Sequence, residues 1–390
     1  MNSRERFMKV INGEMPDRVP VTLFIQDQGH FINQMYPEVD PLDYYTLLLK
    51  VIEFQKQLGV DIFVRMLFDI TDPLNIMLGG LNVKDQTEDW QVHTENIVNG
   101  STTVQRSTIK TPDGILTQDF SINEERKGTL MYACTKHPIE SEEDLDIAIK
   151  YEPKMTLENK AMIKKNIKRI KDVLGNDGIL GTWTPGGVFN NVSTLINHED
   201  LYCLFLTDYE YYEKLMNFGL NRITDYALAM EEGGADVLLF GGNVAGGFLG
   251  SEFYDKYIMP FEKKYVDTIQ KNGTPAMLHN CGEIMNLVES YKKLGVRMVE
   301  PFSPSPLGDA DLAKAKEIVN GEYIITGGID QVNVLQKGSV DLVKEVTERT
   351  MKIGKPGGGF ILQSADFLEY GTPLENLEAY VKTAMENAWY

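Results

Sequence analysis

Cysteine is scarce in this chain, and long apolar runs are missing. Only three cysteines, Cys134, Cys203 and Cys281, occur in 390 residues, which excludes a disulfide framework and is typical of a reducing compartment. No apolar run reaches the roughly 18 residues that a membrane-spanning helix needs, and residues 1–6 lack the apolar core of a signal peptide. We therefore expect a cytoplasmic protein without a membrane partner.

Positive charge is also in short supply. The chain has 38 Lys and Arg residues against 57 Asp and Glu residues, which gives a formal net charge of −19 at pH 7. Because so acidic a protein repels a phosphate backbone, nucleic acid is not an expected partner. The glycine-rich stretches at 241–247 and 354–359 match neither a dinucleotide-binding fingerprint nor a P-loop. We therefore do not expect a phosphate-binding loop.

What the sequence does contain is a repeated alternation of short apolar segments with helical patterns. Such alternation predicts an α/β protein with a parallel sheet, and eight strand–helix units favour a closed (β/α)8 TIM barrel. An open doubly wound sheet is the competing architecture, because periodicity does not reveal closure. We expect residues 1–390 to form a single domain. The eight predicted strands are residues 18–25, 60–66, 178–183, 235–240, 274–278, 296–300, 323–326 and 359–363.

An insertion at residues 70–150 departs from this alternation and looks like an antiparallel meander. Because it follows the second predicted strand, we expect it on the side where barrel enzymes bind substrate. A lid, a partner-docking surface and a decorative excursion all fit this position. Its predicted strands are residues 90–98, 101–110 and 115–120, joined by turns at Asn99-Gly100 and Pro112-Asp113-Gly114.

The ends of the predicted strands are where a barrel enzyme carries its chemistry. His279 and Cys281 follow the fifth predicted strand, and imidazole and thiolate are favoured zinc ligands. A catalytic zinc ion needs a third protein ligand, and we expect the other two cysteines to be small buried hydrophobes. The third ligand is then a carboxylate, with Asp366 and Glu300 as the candidates. The alternative is that His279 and Cys281 are ordinary core residues, because so short a motif often occurs by chance.

Five further residues complete the predicted site. Asp330 is a candidate acid–base residue, or else it caps the helix that follows it. Asn243, the second predicted catalytic residue, stands in a glycine-rich stretch after a strand, where the backbone can approach a planar ligand closely. Gln26, His30 and Trp183 lie near strand ends and are predicted to bind substrate. For His30 an exposed loop position is the alternative.

Six stretches of the chain resemble the uroporphyrinogen decarboxylase superfamily, and within it the cobamide-dependent methyltransferases. The resemblance spans essentially the whole chain and implies the (β/α)8 barrel independently of the strand count. The stretches are Arg4-Glu5-Arg6-Phe7, Gly13-Glu14-Met15-Pro16-Asp17-Arg18-Val19-Pro20-Val21, His279-Asn280-Cys281-Gly282, Gly327-Gly328-Ile329-Asp330, Gly357-Gly358-Gly359-Phe360-Ile361-Leu362 and Thr372-Pro373-Leu374-Glu375-Asn376.

Two differences from the patterns of this superfamily refine what the resemblance implies. Its decarboxylases carry an arginine-bearing segment near the N-terminus, similar to Arg-Gln-Ala-Gly-Arg-Tyr, whereas residues 24–30 of this chain contain no arginine. Its coenzyme M methyltransferases use a later cysteine as a zinc ligand, whereas this chain has Asp366 near that place. The chain therefore resembles most the first methyltransferase of corrinoid-linked O-demethylase systems.

Together these features imply a zinc-dependent methyltransferase. We expect it to move a methyl group from a small methylated substrate, in first place an aryl methyl ether, to the cob(I)alamin of a separate corrinoid-binding protein. Zinc would act as a Lewis acid on the ether oxygen, and a carboxylate ligand in place of a thiolate would increase its acidity. The alternatives are a lyase of the uroporphyrinogen decarboxylase type, a methylcobamide:thiol methyltransferase and a non-catalytic docking barrel.

Overall fold

The computed structural model describes residues 1–25, 31–67, 79–100, 102–126, 129–241 and 249–390. In chain order its strands are β1 (Ile62–Leu67), β2 (Gln91–Asn99), β3 (Thr102–Lys110), β4 (Ile115–Arg126), β5 (Thr129–Lys136), β6 (Gly178–Trp183), β7 (Val237–Gly241), β8 (Ala276–His279), β9 (Met298–Phe302), β10 (Ile324–Ile329) and β11 (Phe360–Ser364). Seven of them form a parallel sheet in the order β1-β6-β7-β8-β9-β10-β11. These seven coincide with the last seven strands predicted from the sequence.

The first predicted strand closes this sheet into a barrel. On one side, the Thr22 N–H donates to the carbonyl of Leu362 in β11 (2.9 Å), and the Leu362 N–H donates to the carbonyl of Pro20 (3.0 Å). On the other side, the Asp61 N–H, just before β1, donates to the carbonyl of Val21 (2.8 Å). The segment forms a single parallel bridge rather than a full strand, and Pro20 has no N–H to add to the ladder. The fold is the predicted (β/α)8 TIM barrel.

Helices follow the strands and cover the outside of the barrel. In the described part of the chain, none of them is long and apolar enough to cross a lipid bilayer. Two π-helical segments, Tyr254–Ile258 and Gln331–Gln336, supplement them. The helices are α1 (Ser3–Ile11), α2 (Phe31–Met35), α3 (Tyr44–Leu58), α4 (Glu142–Tyr151), α5 (Leu157–Leu174), α6 (Val188–Val192), α7 (His198–Thr207), α8 (Tyr209–Gly233), α9 (Gly250–Phe253), α10 (Met259–Ile269), α11 (Val288–Leu294), α12 (Leu312–Val319), α13 (Val340–Gly354) and α14 (Leu374–Asn387).

An antiparallel sheet, β2-β3-β4-β5, lies between β1 and β6 in the chain. Its first three strands were predicted, including the tight turn that pairs Asn99 with Thr102. The pairing of β4 with β5 contains two register shifts. Irregular pairing of this kind breaks the alternation of polar and apolar residues, which is why the sequence did not indicate β5.

Cys203 corrects one expectation. It was predicted to be a small buried hydrophobe, but its side chain is exposed on α7. The helix turns Leu201 and Phe205 toward the core, and Cys203 lies about half a turn from both. The prediction for Cys203 was wrong because this apolar run is only partly buried. Cys134, the other cysteine of that prediction, is half-buried on β5.

Alternate residues of the barrel strands point into the lumen and form layers. The lower layer is an apolar cluster that packs on Phe7 and Val10 of α1; it includes Phe63, Ile179, Leu239, Met277, Met298 and Ile361. Two residues further along four of these strands stand Arg65, His279, Glu300 and Gln363. The side chains that face the lumen therefore change from apolar to polar over two residues, at the C-terminal ends of the strands.

Candidate metal centre

Three donor side chains converge at the mouth of the barrel. His279 is the last residue of β8, Cys281 follows two residues later, and Asp366 stands two residues past β11. One ligand atom from each lies within 4.8 Å of the other two. Ligands that bind one zinc ion at about 2.0–2.3 Å stand roughly 3.3–3.8 Å apart, so small side-chain movements suffice to bring these atoms to bonding distance. In the described ranges no other group of three His, Cys, Asp or Glu residues has this spacing.

The turn after β8 brings Cys281 beside His279. The Asn280 N–H donates to the carbonyl of Glu300 (2.7 Å), which extends the parallel pairing past the strand. The Asn280 side chain donates to the Tyr291 hydroxyl (2.8 Å) and is fully buried there. Gly282 then adopts a φ of 89°, a left-handed conformation that glycine accepts without strain. The chain therefore turns at this point, and the Cys281 thiol hydrogen-bonds with both His279 and Asp366.

Glu300 lies behind His279 rather than beside the other donors. The register of β8 and β9 pairs the two residues, and Glu300 Oε1 is 3.3 Å from His279 Nδ1. The other oxygen accepts from Arg65 Nη2 (2.6 Å) and Gln363 Nε2 (2.9 Å). Burial opposes ionisation, but the Arg65 charge and the His279 hydrogen bond lower the pKa of Glu300 to about 2. Because both its oxygens are engaged, the geometry favours Asp366 over Glu300 as the third donor.

The electrostatics of the centre favour a positive charge. Burial lowers the pKa of His279, but hydrogen bonds with Cys281 and Glu300 and the negative charge of Asp366 outweigh it and raise that pKa to about 10. Burial in turn raises the pKa of Asp366. Surroundings that stabilise an imidazolium ion also stabilise a bound cation, which is what a metal site requires.

Arg65 was not predicted from the sequence. Its guanidinium lies over the rings of Phe24 and Phe63, at 4.1 and 4.2 Å from their centroids, and it donates to Glu300 and to Gln363 Oε1 (2.8 Å). A signal was present, because an arginine in the middle of an apolar strand requires a buried partner. The sequence alone does not identify that partner, since the partner comes from β9.

A cavity of about 350 Å³ opens above the three donors. Trp183, one of the predicted substrate-binding residues, lines this cavity and packs edge-on against the His279 ring at 5.4 Å between centroids. Phe24 makes a similar edge contact at 5.9 Å, and Phe367 adds a third aromatic surface. The remaining polar lining comes from Thr184, Asn190 and Thr194. The cavity thus combines aromatic walls with a floor of metal-type donors.

Of the remaining predicted site residues, the structure describes Asp330, which does not line this cavity. Asp330 caps the π-helical segment Gln331–Gln336: one oxygen accepts from the backbone N–H groups of Val332 (2.8 Å) and Asn333 (2.7 Å), and the other accepts from the Asn333 side chain (2.8 Å). Both oxygens are engaged and Asp330 does not line the cavity, which favours the helix-cap alternative. The acid–base role stays a prediction. Gln26, His30 and Asn243 lie outside the described residues.

A barrel with an apolar base and a His–Cys–Asp group at its C-terminal mouth has the architecture of a barrel enzyme. The sequence model of one such family, described as uroporphyrinogen decarboxylase (URO-D), matches residues 127–387. Because this match covers more than half of the chain, the protein belongs to the uroporphyrinogen decarboxylase family. It is an enzyme, as are its matching relatives.

The relatives that match are methyltransferases and uroporphyrinogen decarboxylases. The methylcobamide:CoM methyltransferase MtbA of Methanosarcina acetivorans is 27% identical over 255 residues, which are 64% of this chain and 70% of the relative. The uroporphyrinogen decarboxylase of Prochlorococcus marinus is 26% identical over 283 residues, which are 71% of this chain and 76% of the relative. A solved methyltransferase structure from Methanosarcina mazei superposes with a TM-score of 0.71 at 19% identity and covers 99% of both chains. At this identity the structural match establishes the fold alone.

Proposed function

We propose that the protein is a zinc-dependent methyltransferase that takes a methyl group from a small methylated substrate, an aryl methyl ether above all, and transfers it to the cob(I)alamin of a separate corrinoid-binding protein. The observation that carries the proposal is the group of His279, Cys281 and Asp366 at the floor of a cavity with aromatic walls. The names of the methylcobamide:CoM methyltransferases among its relatives support a corrinoid as the reaction partner.

The three donors fit a zinc ion by their chemistry, since imidazole nitrogen, thiolate sulfur and carboxylate oxygen are each common zinc ligands. A bound zinc ion would supply Lewis acidity toward the ether oxygen of the substrate. Glu300 would orient His279, because its hydrogen bond at Nδ1 leaves Nε2 for the metal. Arg65 would hold Glu300 in turn through its own bond to Oε2.

The aromatic walls suit a substrate with an aromatic ring, because Trp183 and Phe367 are partly exposed and offer flat apolar surface for stacking or edge contacts. In the transfer, the corrinoid of the partner protein would supply a cobalt(I) nucleophile that takes up the methyl group. The O–CH3 bond breaks, and the aryl oxide leaves with its electron pair and takes a proton from water. The acceptor has to approach from the barrel mouth, since the apolar layer and α1 close the opposite end.

A matched pair of cysteine variants tests this proposal. We expect about one zinc ion per chain in protein purified without chelator, and we expect the visible spectrum of cob(I)alamin to change to that of methylcobalamin when an aryl methyl ether is added. Cys281→Ala should lose the metal and the methyl transfer. Cys203→Ala, which removes an exposed thiol on α7, should keep both.

Two results would contradict the proposal. One is a zinc content that is unchanged in Cys281→Ala and in a second variant, His279→Ala. The other is methyl transfer that survives both substitutions. The first result would leave His279 and Cys281 without a role in metal binding, and the second would leave the metal without a role in methyl transfer.

Methylcobamide:thiol methyl transfer is a second candidate, and the relatives named methylcobamide:CoM methyltransferase favour it. In this reaction the protein would carry a methyl group away from the corrinoid to a thiol. Incubation of the zinc-loaded protein with methylcobalamin and a series of thiols tests it directly. Loss of methylcobalamin with formation of a thioether would favour this direction over demethylation of an ether.

A further inference from the structure

We propose that Gln363 is a positioning residue of the metal centre, because it keeps one oxygen of the Glu300 carboxylate available to His279. The inference rests on the proposed function and adds a residue to those that would hold His279 in place for zinc. Gln363 does not line the cavity, so it would act through Glu300 rather than on the substrate.

Gln363 closes a triangle of hydrogen bonds inside the barrel. Its Oε1 accepts from Arg65 Nη2 (2.8 Å), and its Nε2 donates to Glu300 Oε2 (2.9 Å). The third side is the bond from Arg65 Nη2 to the same oxygen of Glu300 (2.6 Å). The three side chains come from β11, β1 and β9, and each is at most 3% exposed. Because the triangle is buried, bulk water does not compete for its bonds.

The triangle uses one oxygen of Glu300 and leaves the other to His279. Glu300 Oε2 receives both donors of the triangle, whereas Oε1 lies 3.3 Å from His279 Nδ1. A carboxylate at Nδ1 orients the imidazole ring and leaves Nε2 for a metal ion. The proposed zinc site therefore depends on Oε1 staying with His279.

Arg65 competes with His279 for this second oxygen. An arginine and a carboxylate commonly pair through two parallel hydrogen bonds, and Arg65 Nη1 has no hydrogen-bond partner among the described residues. Glu300 would satisfy this nitrogen by turning Oε1 away from His279 and toward the guanidinium. Gln363 opposes the turn, because its amide binds Arg65 Nη2 and Glu300 Oε2 at the same time.

An amide is the group that this position requires. It accepts from the guanidinium of Arg65 with its oxygen and donates to the carboxylate of Glu300 with its nitrogen. An ionised carboxylate at position 363 would only accept, and an apolar side chain would do neither. Gln363 thus joins a cation and an anion without adding a charge to the barrel.

Gln363→Met tests the inference, because methionine has a similar length and makes neither hydrogen bond. Zinc affinity is measured by competition with a chelator, without substrate or corrinoid. We expect it to fall about tenfold, the lower end of the loss that is typical of groups behind a metal ligand. We also expect the Nδ1–H resonance of His279, observed by NMR on zinc-loaded protein with 15N-labelled histidine, to lose its protection from exchange with water. Gln363→Glu, which keeps the shape and cannot donate to Glu300 when ionised, should show the same two changes.

Asn376→Leu is the matched control. Asn376, on α14, is also a buried amide with two hydrogen bonds, which its Nδ2 donates to the carbonyls of Leu335 and Gly338 (both 2.9 Å). It lines neither the triangle nor the cavity. We expect this variant to lose stability in urea unfolding and to keep the zinc affinity and the His279 resonance of the wild type.

Three results would overturn the inference. They are a zinc affinity that is unchanged in both Gln363 variants, an equal loss of affinity in the Asn376 control, and a His279 resonance that keeps its protection in Gln363→Met. A wild-type protein that binds zinc but transfers no methyl group would instead count against the proposed function, and the comparison of zinc affinities would still decide the role of Gln363.

Discussion

The barrel holds two buried clusters of charged side chains, one at each end, and they differ in how completely their hydrogen bonds are made. At the base, Asp61 is fully buried and accepts from Arg6 (2.6 Å), Arg18 (2.6 Å) and the Val21 N–H (2.9 Å). At the mouth, Glu300 is equally buried. Its partner Arg65 keeps two nitrogens, Nε and Nη1, without a hydrogen-bond partner among the described residues.

This difference is what we expect between a cluster that stabilises the fold and a cluster that supports the proposed metal centre. The base cluster joins α1, the closing segment and the start of β1, and its polar groups are paired, so its contribution is to stability. The mouth cluster keeps a costly, partly satisfied arginine inside the lumen. Local departures of this kind are expected where a fold positions reactive groups. The two clusters therefore predict different consequences for similar substitutions.

Removing the charge at the base should have the largest effect. Asp61→Asn leaves Arg6 and Arg18 without their shared buried counter-ion, and we expect the free energy of unfolding to fall by about 3–5 kcal/mol. Equilibrium urea unfolding measures this loss. Zinc binding by the folded fraction should not change, because Asp61 lies at the opposite end of the barrel.

Asp17→Asn is the matched control for this prediction. Asp17 belongs to the same cluster and binds Arg6 (2.7 Å), but its side chain is 20% exposed. Water can therefore replace part of the lost interaction, and the loss should be clearly smaller than for Asp61→Asn. Similar losses in both variants would show that burial does not set the strength of the base cluster.

The sequence predicted the barrel well because short, buried parallel strands are apolar runs between turns. Gly178–Trp183 was predicted with the bounds that β6 has. The residues at strand ends, His279, Cys281 and Asp366, could also be proposed together, since the ends of parallel strands meet at one mouth. The closing segment was predicted as a strand, but Pro20 limits it to one bridge.

The sequence alone does not show which residues strand pairing brings together, or which donors compete for a given carboxylate. The sequence predicts that Gln363 ends the last strand, but only the pairing of β9, β10 and β11 brings it to Glu300. Asp330 has the same chemistry as Asp366, yet the N–H groups two and three residues after it turn it into a cap. A carboxylate at a strand end is therefore ambiguous until the following residues are known to begin a helix.

Glu262, on α10, offers a third buried carboxylate that belongs to neither cluster. Its Oε1 accepts from the Phe189 N–H (3.2 Å), whereas Oε2 has no partner among the described residues. Burial raises the pKa of Glu262 from 4.5 to about 7. The folded state therefore holds the Glu262 proton more tightly than the unfolded state does. The stability that this proton contributes is complete below about pH 4.5 and is lost as the pH rises through 7.

Glu262→Gln should remove this pH dependence. The neutral amide keeps an oxygen for the Phe189 N–H. We therefore expect the free energy of unfolding of the variant, relative to that of the wild type, to be roughly 3 kcal/mol higher at about pH 8 than at about pH 4. Urea unfolding at both pH values measures it, with the exposed Glu378→Gln on α14 as the control that should show no such change. A difference between variant and wild type that is constant with pH would contradict the assignment.

The smallest expected effect is on the mouth cluster and concerns zinc rather than folding. Glu300→Gln places an amide where His279 and Arg65 need a carboxylate, and we expect the zinc affinity to fall about 10–100-fold, or roughly 1.4–2.7 kcal/mol. Competition with a chelator measures this change. Asp330→Asn is the control, since Asp330 is an equally buried carboxylate at the same end of the barrel whose partners are in its own helix cap. An affinity that falls in the Asp330 variant and not in the Glu300 variant would reverse the roles assigned to these two residues, and with them the contrast between the two ends of the barrel.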